Sequence, residues 1–318
     1  MRPISYEDKA SPKSLQNKIW IENGTMYSYY KNVLLSIHYP HLENVQVSAE
    51  DLRTVVNAAK AKEIEINITE AGNFIAKAGK VRTQMKTLND PMDRIEPNDN
   101  WYTTEGELLP TLLNLSKWVP DQAQQVFATT LLLRNGYAYA SDGKYMVREK
   151  LAVDFDFECG ITKPMLDVLT KLKAEPTSIA YRNGKLYFGL ANGVELNAPV
   201  LSQKWPDIDV FFRQEFKFQP FTTELTEVLS QLSSYDETGT ALIEVRDKAK
   251  AKAYFPTRQL PRTIVDISFD TTEFPINFDT GIKYWSRLSK DMTDFALSAK
   301  FLVMKNEKRL VILACIGK

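Results

Sequence analysis

The sequence predicts an α+β fold made of three similar units in tandem. Two hairpin signatures carry the prediction. "KIWIENGTMYSYY" reads as two alternating strands around Asn23-Gly24, and "TTLLLRNGYAYAS" repeats the design around Asn135-Gly136, 112 residues further on. The segments after the two hairpins also match: a short strand, one helix and three more strands. The residues expected to open that helix, Ser48, Thr162 and Asp279, are good N-cap types and lie 114 and 117 residues apart. Three units of somewhat over a hundred residues explain a 318-residue chain better than one large domain does.

In the first unit the hairpin leads into a strand "NVQV", a helix "SAEDLRTVVNAAKAK", and strands "EIEINIT", "NFIAKAG" and "VRTQMKTL". In the second come "ECGI", the helix "TKPMLDVLTKLKA", then "TSIAYR", "KLYFGLA" and "VELNAPVL". The third copy opens "FPINF", continues "DTGIKYWSRLSKDM", and closes with "DFALSA", "FLVMK" and "RLVILACI". The second and third units should each begin with a further helix. "LLPTLLNLSKW" (108–118) qualifies with Pro110 in the first turn, where its missing N–H is harmless, and "TTELTEVLSQLSSY" (222–235) qualifies easily. In the first unit "PKSLQNK" is short and weakly amphipathic, so its leading helix is reduced or absent. Segments 89–100 and 204–216, rich in Pro, Asp and Asn and without a period, read as linkers; the units are then 1–98, 99–213 and 214–318.

The helix faces separate charge from apolar surface. Leu52, Val55, Val56 and Ala59 form one face of the first helix, while Arg53, Asn57 and Lys60 lie at i, i+4, i+7 on the other. In the third copy Ile282, Trp285 and Leu288 or Met292 face inward, and Lys283, Arg287 and Lys290 repeat the basic spacing. The middle helix is weaker: Met165, Leu166, Leu169 and Leu172 point inward, with Lys163, Thr170, Lys171 and Lys173 polar and Asp167 interrupting them. Each helix alone is accounted for by a solvated face. Recurrence on corresponding helices favours a shared cationic surface suited to phosphate contact without base readout.

Composition narrows the classes. Forty Lys and Arg balance forty Asp and Glu, so net charge by itself predicts no nucleic-acid, membrane or acidic partner; any field comes from local segregation. Cys159 and Cys315 sit in apolar surroundings and read as free thiols of a reducing compartment. The first residues lack the apolar core of a signal peptide, and "RLVILACIGK" is too short to span a bilayer; a soluble, cytoplasmic chain is expected. His38 and His41 are the only histidines, with no Cys or Glu at ligand spacing, so no metal site is predicted. Nor is there a glycine-rich phosphate loop, a serine elbow or a metalloprotease motif. Neither an enzyme nor a cofactor is expected.

Against that background, three segments in register carry a resemblance. "LLLRNGYAYASDGKYMVRE" resembles the hairpin and "ATDGHRLA" segment of the bacterial sliding clamp, the DNA polymerase III beta subunit family. "VELNAPVLSQKWPDIDVF" resembles that family's strand ending in "GKFPDY", and "INFDTGIKYWSRL" its "FNVSYLLDAL" helix opening. The likeness covers residues 17–318. It implies three tandem clamp-type domains with helices on an inner face and antiparallel sheets outside, two chains closing head to tail into a ring around double-stranded DNA. The implied activity is that of a processivity factor tethering DNA polymerase.

The resemblance also implies particular residues. Val126, Ser141, Gly143, Lys144, Tyr145 and Met146, with Asp279, Ile282, Leu313, Ala314 and Ile316, correspond to an apolar pocket that takes peptides of the polymerase and the clamp loader. Read without the resemblance, Asp142-Gly143 is a tight turn and the apolar residues are core. Contact with DNA would fall to Arg53, Lys60, Lys163, Lys171, Lys173, Lys283, Arg287 and Lys290, and to Gln124 and Gln125. The chain departs from the family in Lys144-Tyr145 after Asp-Gly, in its ending "ILACIGK", in the basic run 245–263 and in a first domain trimmed at its start. Such a compact, divergent clamp would suit a bacteriophage or another mobile element. Lys248, Lys250 and Lys252 alternate along that run, either protecting an edge strand, the favoured reading, or adding a DNA contact. The alternative function is a clamp-fold adaptor that recruits proteins without encircling DNA.

Overall fold

The computed structural model describes residues 17–30, 32–41, 43–59, 63–89, 100–200, 205–223, 226–227, 230, 241–247, 250–254, 265–267, 276–280, 282–297, 300–314 and 316–317. For 58–59, 241–247, 250–254, 265–267, 276–280, 282–284, 297 and 316–317 it describes the backbone only. Internal contacts divide the chain into two compact units, Met1–Leu113 with Ala152–Ser202, and Asn114–Leu151 with Gln203–Lys318. Each unit therefore draws on more than one of the sequence repeats.

The first unit holds an eight-stranded antiparallel sheet. Its order is Val45–Ser48, Lys18–Glu22, Thr25–Tyr30, Val33–His38, Val194–Pro199, Lys185–Leu190, Ser178–Arg182 and Tyr102–Thr103. The first turn is what Asn-Gly requires: Asn23 and Gly24 have φ of 50° and 73°, the left-handed pair of a type I′ hairpin. Asn183-Gly184 repeats it, φ 50° and 72°, between Ser178–Arg182 and Lys185–Leu190. Gly24 is also hemmed in, since a Cβ there would meet the Pro40 Cα at 2.7 Å. Strands Glu65–Ile68, Asn73–Ala78 and Val81–Lys86 form a separate antiparallel sheet. Helix Ala49–Ala59 buries Leu52 and Val55 against Ile19, Val47, Phe74 and Met85, and the Ser48 hydroxyl accepts the Asp51 N–H at 3.3 Å. Helix Lys163–Leu172 starts after Thr162, buries Met165, Leu166, Val168 and Leu169, and ends on Lys173 in the left-handed region at φ 51°. Val168 joins the inward face that the sequence pattern assigned to Leu172, which is only half-buried.

The boundary between the units falls inside helix Leu108–Ser116, which keeps Pro110 in its first turn and buries Leu108, Leu109, Leu112 and Leu115. In the second unit a sheet runs in the order Leu131–Arg134, Tyr137–Ser141, Tyr145–Lys150, Arg309–Ala314, Phe301–Lys305, Asp294–Leu297 and Gln219–Pro220. Asn135-Gly136 makes its first turn, with φ of 49° and 76°. A five-stranded sheet has the order Val265–Ile267, Lys250–Tyr254, Ala241–Asp247, Ile276–Thr280 and Ile316–Gly317. Helix Ile282–Leu288 buries Trp285 and Leu288.

Two sequence expectations need correction. Asp279 does not open the third helix: it lies within strand Ile276–Thr280, paired with Leu242 on one side and Ile316 on the other, and the helix begins at Ile282. An aspartate can cap a helix, but here ladder bonds on both sides hold its backbone extended. Nor is Lys250–Tyr254 an edge strand. Lys252 pairs with both Glu244 and Asp266, so Val265–Ile267 takes the outer position. Lys248 and the expected leading segment "PKSLQNK", apart from Asn17 and Lys18, lie outside the described residues, as does most of the helix expected over 222–235.

Candidate protein-docking site

The Ser141-Asp142-Gly143 turn is built from its own side chains. Asp142 Oδ1 accepts the N–H groups of Lys144 at 2.8 Å and Tyr145 at 3.2 Å, an Asx turn. Ser141 Oγ accepts the Gly143 N–H at 3.1 Å and donates to the Tyr145 carbonyl at 2.8 Å. Gly143 has φ 88°, which a side chain would resist. Tyr145 is driven inward: it is buried, its hydroxyl donates to the Trp118 carbonyl at 2.5 Å, and the rings meet edge to face at 5.7 Å.

Beyond the turn, Tyr145–Lys150 pairs antiparallel with Arg309–Ala314, placing Met146 opposite Ile312. The Ala314 N–H donates to the Lys144 carbonyl at 2.9 Å and closes that end of the ladder. On the Met146 face lies a cavity of about 240 Å³, whose walls include Phe127, Met146, Trp205, Phe211, Phe301 and Ile312. Ser141, Gly143, Lys144, Tyr145 and Ala314 complete one side of it. Such a mostly apolar hollow with a cation at the rim suits an apolar side chain carried on a peptide.

The segment expected to be a linker builds the opposite wall. Trp205 and Ile208 are buried, and the Trp205 Nε1–H donates to Thr130 Oγ1 at 3.3 Å. Short helix Asp209–Phe212 is pinned to the sheet by Asp209, which accepts from Arg134 at 3.2 Å and from the Tyr139 hydroxyl at 3.1 Å. The Arg148 guanidinium lies over the rings of both Tyr137, at 4.7 Å, and Phe212, at 4.5 Å. Burial and the neighbouring Asp209 carboxylate push the Tyr139 phenol from 10.0 up to about 12.

Of the residues expected in a pocket, six line this cavity: Ser141, Gly143, Lys144, Tyr145, Met146 and Ala314. Val126 does not, being half exposed, and its neighbour Phe127 does. Leu313 is 1% exposed and lies on the opposite face of its strand, because alternate residues face alternate ways. The side chains of Asp279, Ile282 and Ile316 are outside the described residues. The residues that the sequence did not flag are Phe127, Trp205, Pro206, Ile208, Phe211, Phe301 and Ile312. For Trp205, Pro206, Ile208 and Phe211 the signal was the apolar density of "WPDIDVFF" within a stretch otherwise read as connector.

The expected DNA-contacting residues divide between the two units. In the first unit Arg53 and Lys163 are half-buried, Lys173 is exposed, and Lys171 donates to the Tyr30 hydroxyl at 3.0 Å while lying over its ring. In the second, Arg287 is exposed, stacks on Trp118 at 4.1 Å and donates to the Lys117 carbonyl at 3.1 Å. Lys290, Gln124 and Gln125 are exposed, whereas Lys60 and the Lys283 side chain lie outside the described residues. A second hollow of about 560 Å³ in the first unit is bordered by Trp20, Glu22, Asn44, Gln46 and Leu88. Among the described residues, no three His, Cys, Asp or Glu side chains converge as metal ligands. No described helix is long and apolar enough to cross a membrane. Burial pushes the Cys159 thiol well up, which leaves it a poor nucleophile.

Over nearly its whole length the chain superposes on solved sliding clamps. The DNA polymerase III subunit beta of Pseudomonas aeruginosa aligns over 98% of this chain and 94% of its own, at 13% identity and TM-score 0.71. The DNA polymerase sliding clamp of Bacillus subtilis aligns over 99% and 94%, also at 13% identity and 0.71. This chain has the sliding-clamp fold. The beta clamp of Helicobacter pylori, solved bound to a DNA ligase peptide, shares the clamp fold at 12% identity, 98% and 94% coverage and TM-score 0.67. No protein-family model matches the sequence, and no curated protein matches it either.

Proposed function

We propose that this chain is a DNA sliding clamp, a processivity factor that encircles duplex DNA and tethers a polymerase by a peptide seated in the Met146–Trp205 cavity. The observation that carries it is the clamp fold over 98% of the chain at TM-score 0.71. The ring is a head-to-tail homodimer of three-domain chains, divided near 98 and 213, working in the cytoplasm of a bacterium or a bacteriophage-infected cell. Contact with the duplex is assigned to Arg53, Lys60, Lys163, Lys171, Lys173, Lys283, Arg287 and Lys290, with Gln124 and Gln125. Weak phosphate contacts exchange with little barrier, so the ring slides while topology holds it. Tethering raises the effective polymerase concentration at the primer end. The resemblance to the clamp family adds Asp279, Ile282 and Ile316 to the partner-peptide site, where peptides of the polymerase and clamp loader compete.

The test is topological. Loaded on nicked circular DNA the protein should be retained, and linearisation should release it; light scattering should give about twice 36.3 kDa. Binding of partner peptides without retention on circles would favour the adaptor instead.

A further inference from the structure

We propose that the buried pair Glu149–Arg309 fixes the register of the ladder that forms the cavity wall. Arg309 Nη2 and Nε lie 2.6 and 2.8 Å from Glu149 Oε2, with the side chains 11% and 9% exposed. The two residues stand directly opposite each other. Main-chain bonds from Lys150 to Lys308 and from Ala314 to Lys144 mark the hydrogen-bonded positions. Alternation then makes 149–309 a non-hydrogen-bonded pair, where side chains approach most closely.

Among the described residues, the buried apolar pairs of this ladder do not by themselves select one register. The strands are 160 residues apart at this pair, so no hairpin turn sets their alignment. Val147 opposes Val311 and Tyr145 opposes Leu313, all buried, so a two-residue slip exchanges apolar for apolar neighbours. The charges object. Slipped one way, Glu149 faces Val311 and Arg309 faces Leu151; slipped the other way, Glu149 meets Glu307 and Arg309 meets Val147. Either slip strands a buried charge, and register choice is the best-attested use of such a pair. A slip would carry Met146 about 7 Å along from Ile312 and dismantle the cavity. That last consequence rests on the docking function proposed above; the register itself does not.

Cysteine pairs read the register directly, in a chain carrying Cys159→Ala and Cys315→Ser. With the ion pair intact, Val147→Cys with Val311→Cys should oxidise to a disulfide, and Val147→Cys with Leu313→Cys should not. Replacing the ion pair by Glu149→Met and Arg309→Met keeps volume, and the slipped 147–313 disulfide should then rise roughly tenfold or more over background. The exchanged pair Glu149→Arg with Arg309→Glu should return it to background. Should the methionine pair fail to fold, the uncharged pair Glu149→Gln with Arg309→Gln replaces it with the same expectation. Native cross-linking alone in the neutral variant that folds, or slippage in the exchanged pair, would overturn the proposal. No partner is needed, so loss of DNA retention would leave this result standing.

Discussion

The Tyr145 hydroxyl donates to the Trp118 carbonyl at 2.5 Å, which ties the strand after the Asp142-Gly143 turn to the residues just past helix Leu108–Ser116. Tyr145→Phe keeps the edge-to-face ring contact and removes the donor, stranding a carbonyl beneath the strand. The expected loss is about 1–3 kcal/mol. Urea unfolding should show a lower midpoint at an unchanged slope, and an unmoved midpoint would mean that the carbonyl finds another donor.

Arg287 lies face-on over Trp118 at 4.1 Å with one donor committed to Lys117. A guanidinium held in this way keeps its other donors oriented outward, where a lysine would wander. Arg287→Ala should lower the slope of log affinity against log salt by about 1 for duplex DNA. Arg287→Lys should restore the slope but bind more weakly than the native chain. Identical titrations for all three proteins would remove Arg287 from the DNA-facing surface.

Much of the fold was legible because its signals are local. Asn23-Gly24 and Asn135-Gly136 need left-handed backbone, and both supply it. Strand alternation and helix periodicity placed most elements within a few residues. What failed depended on contacts far along the chain. Asp279 looked like a cap until its two strand partners were seen, and Lys252 looked like an edge guard until Val265–Ile267 flanked it. The cavity was half legible for the same reason. Its turn, Ser141 to Met146, is written locally, but Trp205 and Phe211 come from a segment with no period at all. Leu313 stands between Ile312 and Ala314, which line the cavity, and one residue reverses the face of a strand.

Met146 is half-buried in the wall of the cavity, opposite Ile312. Met146→Asp sets a carboxylate against Trp205 and Phe301 without touching any ladder bond. Stimulation of primer extension should fall by tenfold or more, about 1.4 kcal/mol of docking energy, while retention on nicked circles is unchanged. Loss of both together would point to misfolding; loss of neither would place docking elsewhere.

Tyr139 supplies a pH test of the segment that closes the cavity. Burial first, and then the Asp209 carboxylate, hold its phenol protonated to about 12 against an ordinary 10.0. Above pH 10 the unfolded chain loses this proton while the folded chain keeps it, so the folded state binds more protons and stability declines as pH rises. The contribution is whole below the unfolded value and gone once pH passes the folded one. Tyr139→Phe has no phenol to titrate and should lack that part of the alkaline decline, although it starts less stable for want of the 3.1 Å bond to Asp209. Thermal midpoints of the two proteins should therefore converge as pH rises from 10 toward 12. Parallel curves would mean that Tyr139 ionises as readily folded as unfolded.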